Sequence, residues 1–418
     1  MKAEILATGD EIRSGALIDS NSAFIAEVLE QCGLQVTRHQ VVGDNMEMLV
    51  TALTEIGGRA DVAVVTGGLG PTQDDMSAAA AAQAADRELV LDARALEDIE
   101  SFFHQRNRRM AKSNRKQAYL PKGAVALYNP VGTAPGFQVK IGSCQFFFLP
   151  GVPYEMKKML TEQVSLRLQA LQGDRRQYSM VRTLSSFGLP ESAVAELVDG
   201  LEAHFPDVKL GLRAKFPEIQ VKLYTRTQDE GRGQRNLDVA AQWVAGRLGK
   251  HLFSTDGRSM AAELGDLLRQ RQATVALAES CTGGLVANWL TDVEGSSDYF
   301  LLSAVTYANA AKVKVLGVSS ETLAQFGAVH EETAREMAEG VRRVANATYG
   351  VATSGIAGPS GGSPEKPVGT VCIGVATPEK TTSRQLLFTF GGRLMNKRIF
   401  AMAALDMLRR ALLEEPLP

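Results

Sequence analysis

The chain has 418 residues, of which 45% are apolar and 22% charged, and its formal net charge is −2. This composition is that of an ordinary globular protein of roughly two to four domains, and it argues against a nucleic-acid-binding or membrane-surface protein. The cysteines (Cys32, Cys144, Cys281, Cys372) are too widely spaced for a zinc motif or a disulfide scaffold. The N-terminus enters a strand-like run directly, so we expect no signal peptide and a cytoplasmic location.

The first segment, residues 1–172, alternates strand-like runs with helical patterns. AEILATG, LQVTRHQVV and DVAVVTGG predict strands, whereas SNSAFIAEVLEQCG, MEMLVTALTEIGGRA and SAAAAAQAAD predict helices. This alternation predicts an α/β domain with a parallel sheet covered on both faces. The basic run 106–116 is interpreted as a solvated helix face, with an anion-binding face as the alternative.

Two polar, glycine-containing clusters follow strands of this segment. TGDE (8–11) follows the first strand, and TGGLGPTQDD (66–75) follows the third. Such loops turn backbone N–H groups toward an anion at the sheet edge where α/β proteins bind ligands. The alternative is that the glycines only form turns and the acids only cap helices. The candidate nucleotide-site residues are Thr8, Asp10, Glu11, Asp19, Asn21, Gly67, Gly68, Gly70, Thr72, Asp74 and Asp75.

The carboxylates of Asp74 and Asp75 would repel a bare phosphate. A divalent cation between them and the phosphate removes this repulsion. We therefore expect these two residues to be the metal ligands of the first segment.

The second segment, residues 173–256, is shorter and more polar. YSMVRTLSSFG and EIQVKLYTRTQ predict strands, and PESAVAELVDGLEAHF and LDVAAQWVAGRLG predict helices. This pattern indicates a small α+β domain.

The third segment, residues 257–418, again mixes helices and strands. MAAELGDLLRQRQ, CTGGLVANWLTDV and MNKRIFAMAALDMLRRALLEE predict helices, and ATVALAE predicts a strand. LLSAVTYANAAK, ATYGVATSGIAGP and GTVCIGVATP are strand-rich. A third domain, again α/β, is the expected result.

LAESCTGG (277–284) contains three side chains that could act as nucleophiles or hold a ligand. The hydroxyls of Ser280 and Thr282, with the N–H groups of the helix that follows, suit a phosphate. Cys281 would attack only if its pKa were lowered. A plain structural turn with a capping serine is the remaining alternative.

GSSDYF and VTYANAAK, further along the chain, offer a second set of reactive groups. A serine here needs a base, and a lysine whose pKa is lowered by burial can replace histidine. Tyr307 could relay a proton to Lys312 or orient it. The residues alone also allow Lys312 to be an ordinary surface lysine.

TGDE, DSN, TGGLGPTQDD, NPVGTAPG and PGVPYEM together resemble the molybdopterin-binding (MoCF-like) domain of the CinA family, with Ser77 in place of the family's usual threonine. The resemblance implies an ADP-ribose pyrophosphatase that depends on a divalent metal (Mg²⁺ or Co²⁺) and K⁺. The second segment resembles the family's KH-like domain but lacks the G-x-x-G loop that clamps nucleic acid, so RNA binding is not inferred.

Residues 257–418 resemble the CinA C-terminal domain, a nicotinamide mononucleotide (NMN) deamidase, through AESCTGG, GSS, VTYANAAK, SGIAGPSGGSPEKPVGTV and the GGR that ends at Arg393. The resemblance implies hydrolysis of NMN to nicotinic acid mononucleotide and ammonia, without a cofactor, in the recycling of NAD. Ser297 would be the nucleophile and Lys312 its base, with Tyr307 assisting. The implied substrate-binding residues are Ser280, Thr282, Gly283, Ser354, Gly355 and Arg393.

The resemblance also implies a homodimer whose partners are small nucleotides, namely NMN and ADP-ribose. Neither nucleic acid nor a membrane is expected as a partner. The alternative function is a non-catalytic molybdopterin- or nucleotide-binding protein, or a scaffold associated with competence and DNA damage.

Overall fold

A computed structural model describes residues 1–173, 177–389 and 391–415. The chain divides into two compact units, residues 1–181 with 224–236, and residues 182–223 with 237 to the C-terminus. In the part of the chain that the model describes, every helix is too short or too polar to cross a membrane.

The first segment is built on a six-stranded sheet with the order β2-β1-β3-β8-β7-β6. Strands β2, β1, β3 and β8 run parallel, as the alternation predicts, and β7 and β6 add an antiparallel edge. A separate antiparallel pair is formed by β4 and β5. The strands are β1 Lys2–Thr8, β2 Gln35–Val42, β3 Val62–Thr66, β4 Leu89–Leu91, β5 Tyr119–Pro121, β6 Val125–Leu127, β7 Gly136–Ile141 and β8 Cys144–Leu149.

Helices cover both faces of this sheet, which confirms the predicted α/β architecture. Neighbouring strand residues face different cores: Leu6 packs in the core that includes α3, and Ile5 in the core that includes α2 and α6. The helices are α1 Asp10–Arg13, α2 Ser20–Gln31, α3 Met46–Arg59, α4 Ser77–Ala84, α5 Ala93–Gln105, α6 Pro153–Met159 and α7 Ser165–Gln172.

The basic run 106–116 does not form the solvated helix face that we expected. Helix α5 ends at Gln105, and only Lys112–Ala118 form a 3-10 turn. Lys116 Nζ donates a hydrogen bond to the carbonyl of Thr72, in the glycine-rich loop. The end of this run therefore supports that loop.

The second segment forms a four-stranded sheet with the order β10-β11-β9-β12. Strand β10 was not predicted, although the apolar residues of VKLGLRAK alternate with lysine, arginine and glycine as in a half-buried strand. The helix predicted at 190–205 is broken near Gly200, whose φ of 77° is left-handed. The elements are β9 Tyr178–Ser186, α8 Glu191–Leu197, α9 Leu201–His204, β10 Val208–Lys215, β11 Glu218–Thr227, α10 Glu230–Leu248 and β12 Leu252–Ser254.

The third segment has a five-stranded sheet with the order β14-β13-β15-β16-β17. Strands β14, β13 and β15 are parallel to one another. Strand β16 pairs antiparallel with β15, and β17 pairs antiparallel with β16. Its strands are β13 Val275–Glu279, β14 Phe300–Val305, β15 Tyr349–Gly355, β16 Thr370–Ala376 and β17 Thr381–Leu387. Its helices are α11 Met260–Gln270, α12 Leu285–Thr291, α13 Asn309–Ala311, α14 Ser320–Phe326, α15 Glu331–Ala345 and α16 Arg393–Leu413.

Candidate functional site

The side chain of Glu279, the last residue of β13, organises the turn that follows this strand. The residue is 1% exposed. Its carboxylate accepts hydrogen bonds from the backbone N–H groups of Gly284 (2.9 Å), Val286 (3.2 Å) and Ala287 (2.8 Å). These donors at the start of α12 are thus bonded to an internal anion. They are not available to a phosphate, which corrects our expectation that this turn cradles one.

Lys312 is the central group of the site. It is fully buried, and its Nζ lies 3.2 Å from Ser280 Oγ, 2.8 Å from the carbonyl oxygen of Thr306 and 3.2 Å from that of Tyr307. Burial lowers the pKa of the Lys312 amine. A neutral amine has two N–H donors and one lone pair. Lys312 Nζ thus donates to all three oxygens, and because the two carbonyl oxygens can only accept, loss of one proton from the ammonium would leave the lone pair for the Ser280 hydroxyl.

Ser297, which the family resemblance assigns as the nucleophile, is not brought to Lys312 within one chain. It is exposed, in the 3-10 turn Ser296–Asp298 that precedes β14, whereas Lys312 follows the opposite end of that strand. A six-residue strand spans roughly 20 Å. Within one chain, the structure therefore pairs Lys312 with Ser280 and not with Ser297.

Cys281 is not suited to nucleophilic attack. It is 5% exposed, and burial raises the pKa of its thiol to about 12. The thiolate form that would attack a carbonyl is therefore rare near neutral pH.

Three of the predicted substrate-binding residues have structural contacts instead. Thr282 Oγ1 lies 2.7 Å from Glu279 Oε2 and 2.7 Å from Thr353 Oγ1. Ser354 Oγ donates to the carbonyl of Ala328 at 2.6 Å. A Cβ at Gly355 would lie 2.6 Å from the carbonyl oxygen of Thr370, so this position needs glycine for strand packing.

Two cations of helix α16 lie close to the candidate site, Lys397 beside Gly283 of the Ser280 turn and Arg393 beside Tyr307. Arg393 donates to the carbonyl of Gly358 (2.8 Å) and to the hydroxyl of Tyr307 (3.2 Å), so the structure brings two predicted residues together. A Cβ added at Gly283 would lie 3.5 Å from Lys397 Nζ. Among the described residues, neither cation has an acidic partner within 4.0 Å. Lys397 was missed, because the predicted helix began at Met395; the observed helix begins at Arg393, which puts Lys397 four residues later on the same face.

A separate cleft of about 540 Å³ lies at the carboxyl ends of β1, β3 and β8 in the first segment. The predicted residues that line it are Thr8, Glu11, Asp19, Asn21, Gly67, Gly68, Gly70, Asp74 and Asp75. Asp10 and Thr72 are not among the lining residues. Asp10 pairs with Arg13, and Thr72 donates from its backbone N–H and its hydroxyl to Asp75 (2.8 and 2.6 Å).

Two of the predicted cleft residues also have structural contacts, and that of Asp19 is the helix-capping role that we gave as the alternative. Asp19 caps α2 by accepting from the N–H of Ser22. The amide of Asn21 donates to Thr66 Oγ1 and to the carbonyl of Gly151. These contacts tie α2 to the ends of β3 and β8, and they shape the floor of the cleft.

Acidic residues dominate the lining of this cleft. Asp44 and Glu155, which were not predicted, join four predicted acids there, and the described lining contains no lysine or arginine. Burial raises the pKa of Asp44 and, against a hydrogen bond from Asn129, that of Glu155. No three histidine, cysteine, aspartate or glutamate side chains form a metal-binding group in the described ranges. One or two carboxylates together with phosphate oxygens are nevertheless a common Mg²⁺ environment.

Comparison with known proteins decides the family. The chain is 54% identical over 413 residues to a CinA-like protein of Desulfosudis oleivorans, covering 99% of this chain and 100% of that protein. The chain belongs to the CinA family. A CinA-like protein of Desulforapulum autotrophicum is similar to this CinA-family chain at 48% identity, with 99% of each chain covered.

Three family profiles match this CinA-family chain in order. They are the probable molybdopterin binding domain (residues 4–170), the damage-inducible protein CinA KH domain (181–254) and the CinA C-terminal domain (257–412). A competence/damage inducible protein from Agrobacterium tumefaciens of solved structure is 39% identical and has a TM-score of 0.35; the match covers 37% of this chain and 96% of that one. A CinA superfamily protein from Escherichia coli is 31% identical, with a TM-score of 0.35 and coverage of 36% and 88%.

Proposed function

We propose that this CinA-family protein is a serine amidohydrolase that converts NMN to nicotinic acid mononucleotide and ammonia. The observation that carries the proposal is the contact between the buried amine of Lys312 and the hydroxyl of Ser280, 3.2 Å apart. A lysine whose pKa is lowered by burial is a better base for a serine than an ordinary lysine, since more of it is neutral at a given pH. The product would return to NAD synthesis.

The reaction follows from these two groups. Lys312 accepts the Ser280 proton as the serine oxygen attacks the carboxamide carbon, which forms a tetrahedral oxyanion. The Lys312 ammonium then returns a proton to the departing amine, and ammonia leaves an acyl-enzyme. Water, deprotonated by the same lysine, attacks the ester and releases the carboxylate and Ser280.

The phosphate of NMN is proposed to bind Arg393 and Lys397. These cations lie near the Ser280 turn without acidic partners among the described residues, and helix α16 begins at Arg393, where its dipole favours an anion. The hydroxyl of Tyr307 orients the Arg393 guanidinium. In this assignment the side chains of α16 bind the phosphate, and the N–H groups of α12 remain bonded to Glu279.

The direct test is ammonia release from NMN by the purified full chain. We expect steady turnover of NMN and much slower turnover of nicotinamide riboside, which lacks the phosphate. Absence of ammonia from NMN, with the protein folded by circular dichroism, would refute the amidase and favour the alternative of a nucleotide-binding or competence-associated scaffold.

Lys397→Met tests the phosphate assignment. Loss of one charge-assisted hydrogen bond is expected to lower kcat/KM for NMN by about 10- to 100-fold, and to leave the slow turnover of nicotinamide riboside unchanged. Arg398→Met, which removes a neighbouring exposed cation, is the matched control. An equal loss of kcat/KM with both substrates would show that Lys397 does not bind the phosphate.

The acidic cleft of the first segment supports a second activity, hydrolysis of ADP-ribose to AMP and ribose 5-phosphate. Its lining of carboxylates without a cation would repel a bare diphosphate, so a bound divalent ion is needed for the substrate to enter. Asp74 and Asp75 would hold that ion, which would neutralise charge on the diphosphate. The resemblance adds K⁺ as a further requirement.

Asp75→Asn is the test of this second activity. The change keeps the size of the side chain but removes its charge, so metal-dependent AMP formation should fall at least about 10-fold. Glu88→Gln, at an exposed glutamate paired with Lys122, serves as the control. Unchanged AMP formation in Asp75→Asn, across several metal concentrations, would show that Asp75 is not a metal ligand.

A further inference from the structure

Glu279 forms an unusually complete set of contacts for a buried carboxylate. Besides the three N–H groups of α12, its oxygens accept from Thr282 Oγ1 (2.7 Å) and from Ser303 Oγ on β14 (3.4 Å). No lysine or arginine pairs with it among the described residues. A buried charge without a counter-ion is costly unless hydrogen bonds replace its solvation. Here the hydrogen bonds link the end of β13 to the turn after Ser280, to the start of α12 and to β14.

A second anchor holds the same turn from β15. The backbone N–H of Ser280 donates to the carbonyl of Thr353 (2.9 Å), and Thr282 Oγ1 contacts Thr353 Oγ1 (2.7 Å). The N–H of Gly283 closes the turn on the carbonyl of Ser280 (3.2 Å). The position of Ser280 therefore depends on a network in which Glu279 supplies the acceptor oxygens.

We propose that Glu279 is a positioning residue for the amidase reaction, a role that rests on the proposed function. It fixes the turn so that Ser280 Oγ stays within hydrogen-bonding distance of the Lys312 amine. It touches neither the substrate nor the reacting atoms. Its loss should therefore lower kcat through misplacement of the nucleophile, and should leave substrate binding by Arg393 and Lys397 intact.

Glu279→Gln is the variant that tests this role. The amide nitrogen cannot accept from the N–H groups of α12, so the turn loses part of its anchor with little change in volume. A misplacement of about 1 Å can cost about 100-fold in rate, and we expect a fall in kcat of that order with KM for NMN unchanged within about twofold. Glu336→Gln is the matched control, because Glu336 similarly accepts from the N–H of Ser319 and the hydroxyl of Thr322 in the same domain.

The pH profile separates positioning from a general loosening of the site. Burial lowers the pKa of Lys312, and Glu279 does not contribute to this shift. The midpoint of the rise of kcat/KM with pH should therefore stay at its wild-type value in Glu279→Gln. A midpoint that moves up toward that of an ordinary lysine would mean that water has entered the site, and the positioning role would be rejected.

Reactivity of Ser280 provides a measurement that does not depend on NMN. A fluorophosphonate probe should label Ser280 of the wild-type full chain, identified by peptide mass spectrometry, and label Glu279→Gln much more slowly. Thr282→Val, which removes the hydroxyl shared by Glu279 and Thr353, should act in the same direction if Glu279→Gln fails to fold. Wild-type labelling rates in the variants, or no labelling of the wild-type Ser280, would overturn the proposal. Labelling without NMN hydrolysis would overturn only the proposed substrate.

Discussion

Replacing Ser280 by alanine should reduce ammonia release from NMN by at least about 10⁴-fold, the scale seen when a serine nucleophile is removed. The reason is that Ser280 Oγ is the only hydroxyl within hydrogen-bonding distance of Lys312 Nζ in the described part of the chain. The measurement is the initial rate of ammonia formation by the full-length variant. Its melting temperature should remain close to that of the wild type, since alanine fits the same turn.

Ser297→Ala is the matched control for this experiment. Ser297 is exposed at the far end of β14 from Lys312, so its loss should leave the rate within about twofold of the wild type. The opposite pattern, with Ser297→Ala inactive and Ser280→Ala active, would restore the assignment implied by the family resemblance. It would then require the serine to reach Lys312 from a second copy of the chain.

Lys312→Met should have an effect as large as Ser280→Ala, because the serine loses its base and methionine retains the length of the side chain. We expect kcat to fall at least about 10⁴-fold, and the double variant to be no slower than the slower single variant, as for residues that act as a unit. Lys314→Met, at an exposed lysine two residues on, is the control for the loss of a positive charge. A slow but substantial rate in Lys312→Met would show that another group deprotonates the serine.

The same lysine sets the expected pH dependence. Only neutral Lys312 can accept the proton, so kcat/KM should rise with pH and level off, with a midpoint below the 10.5 of an unperturbed lysine. Since the folded pKa is lowered, the unfolded chain binds more protons between the two pKa values. The free energy of unfolding should therefore rise with pH across that window, and Lys312→Met should lose this rise. Denaturation curves at several pH values measure it.

The sequence patterns were sufficient for the architecture. The alternation of apolar runs and amphipathic helices predicted both α/β sheets, and the structure confirms them with antiparallel strands added at their edges. The break at Gly200 was missed, because a single glycine inside a helical pattern does not by itself mark a break. Strand β10 was also missed, although the apolar residues of VKLGLRAK alternate with polar residues and glycine, so the signal was present in the sequence.

The sequence predicted which residues belong to the candidate site, but not which serine contacts Lys312. Lys312 and Tyr307 were found because lysine is the remaining base when no histidine is near. Sequence could not show which serine meets Lys312, since this depends on which ends of β13 and β14 share an edge of the sheet. The role of Glu279 was also hidden, because its partners are backbone N–H groups, which every residue except proline carries.

The acceptors that hold the Lys312 amine are peptide carbonyls, at positions 306 and 307. Its location is therefore encoded by the path of the main chain, whatever side chains stand at those two positions. Under the proposed amidase activity, variation at Tyr307 would therefore change substrate selectivity while Lys312 keeps its position, which makes Tyr307 a starting point for engineering.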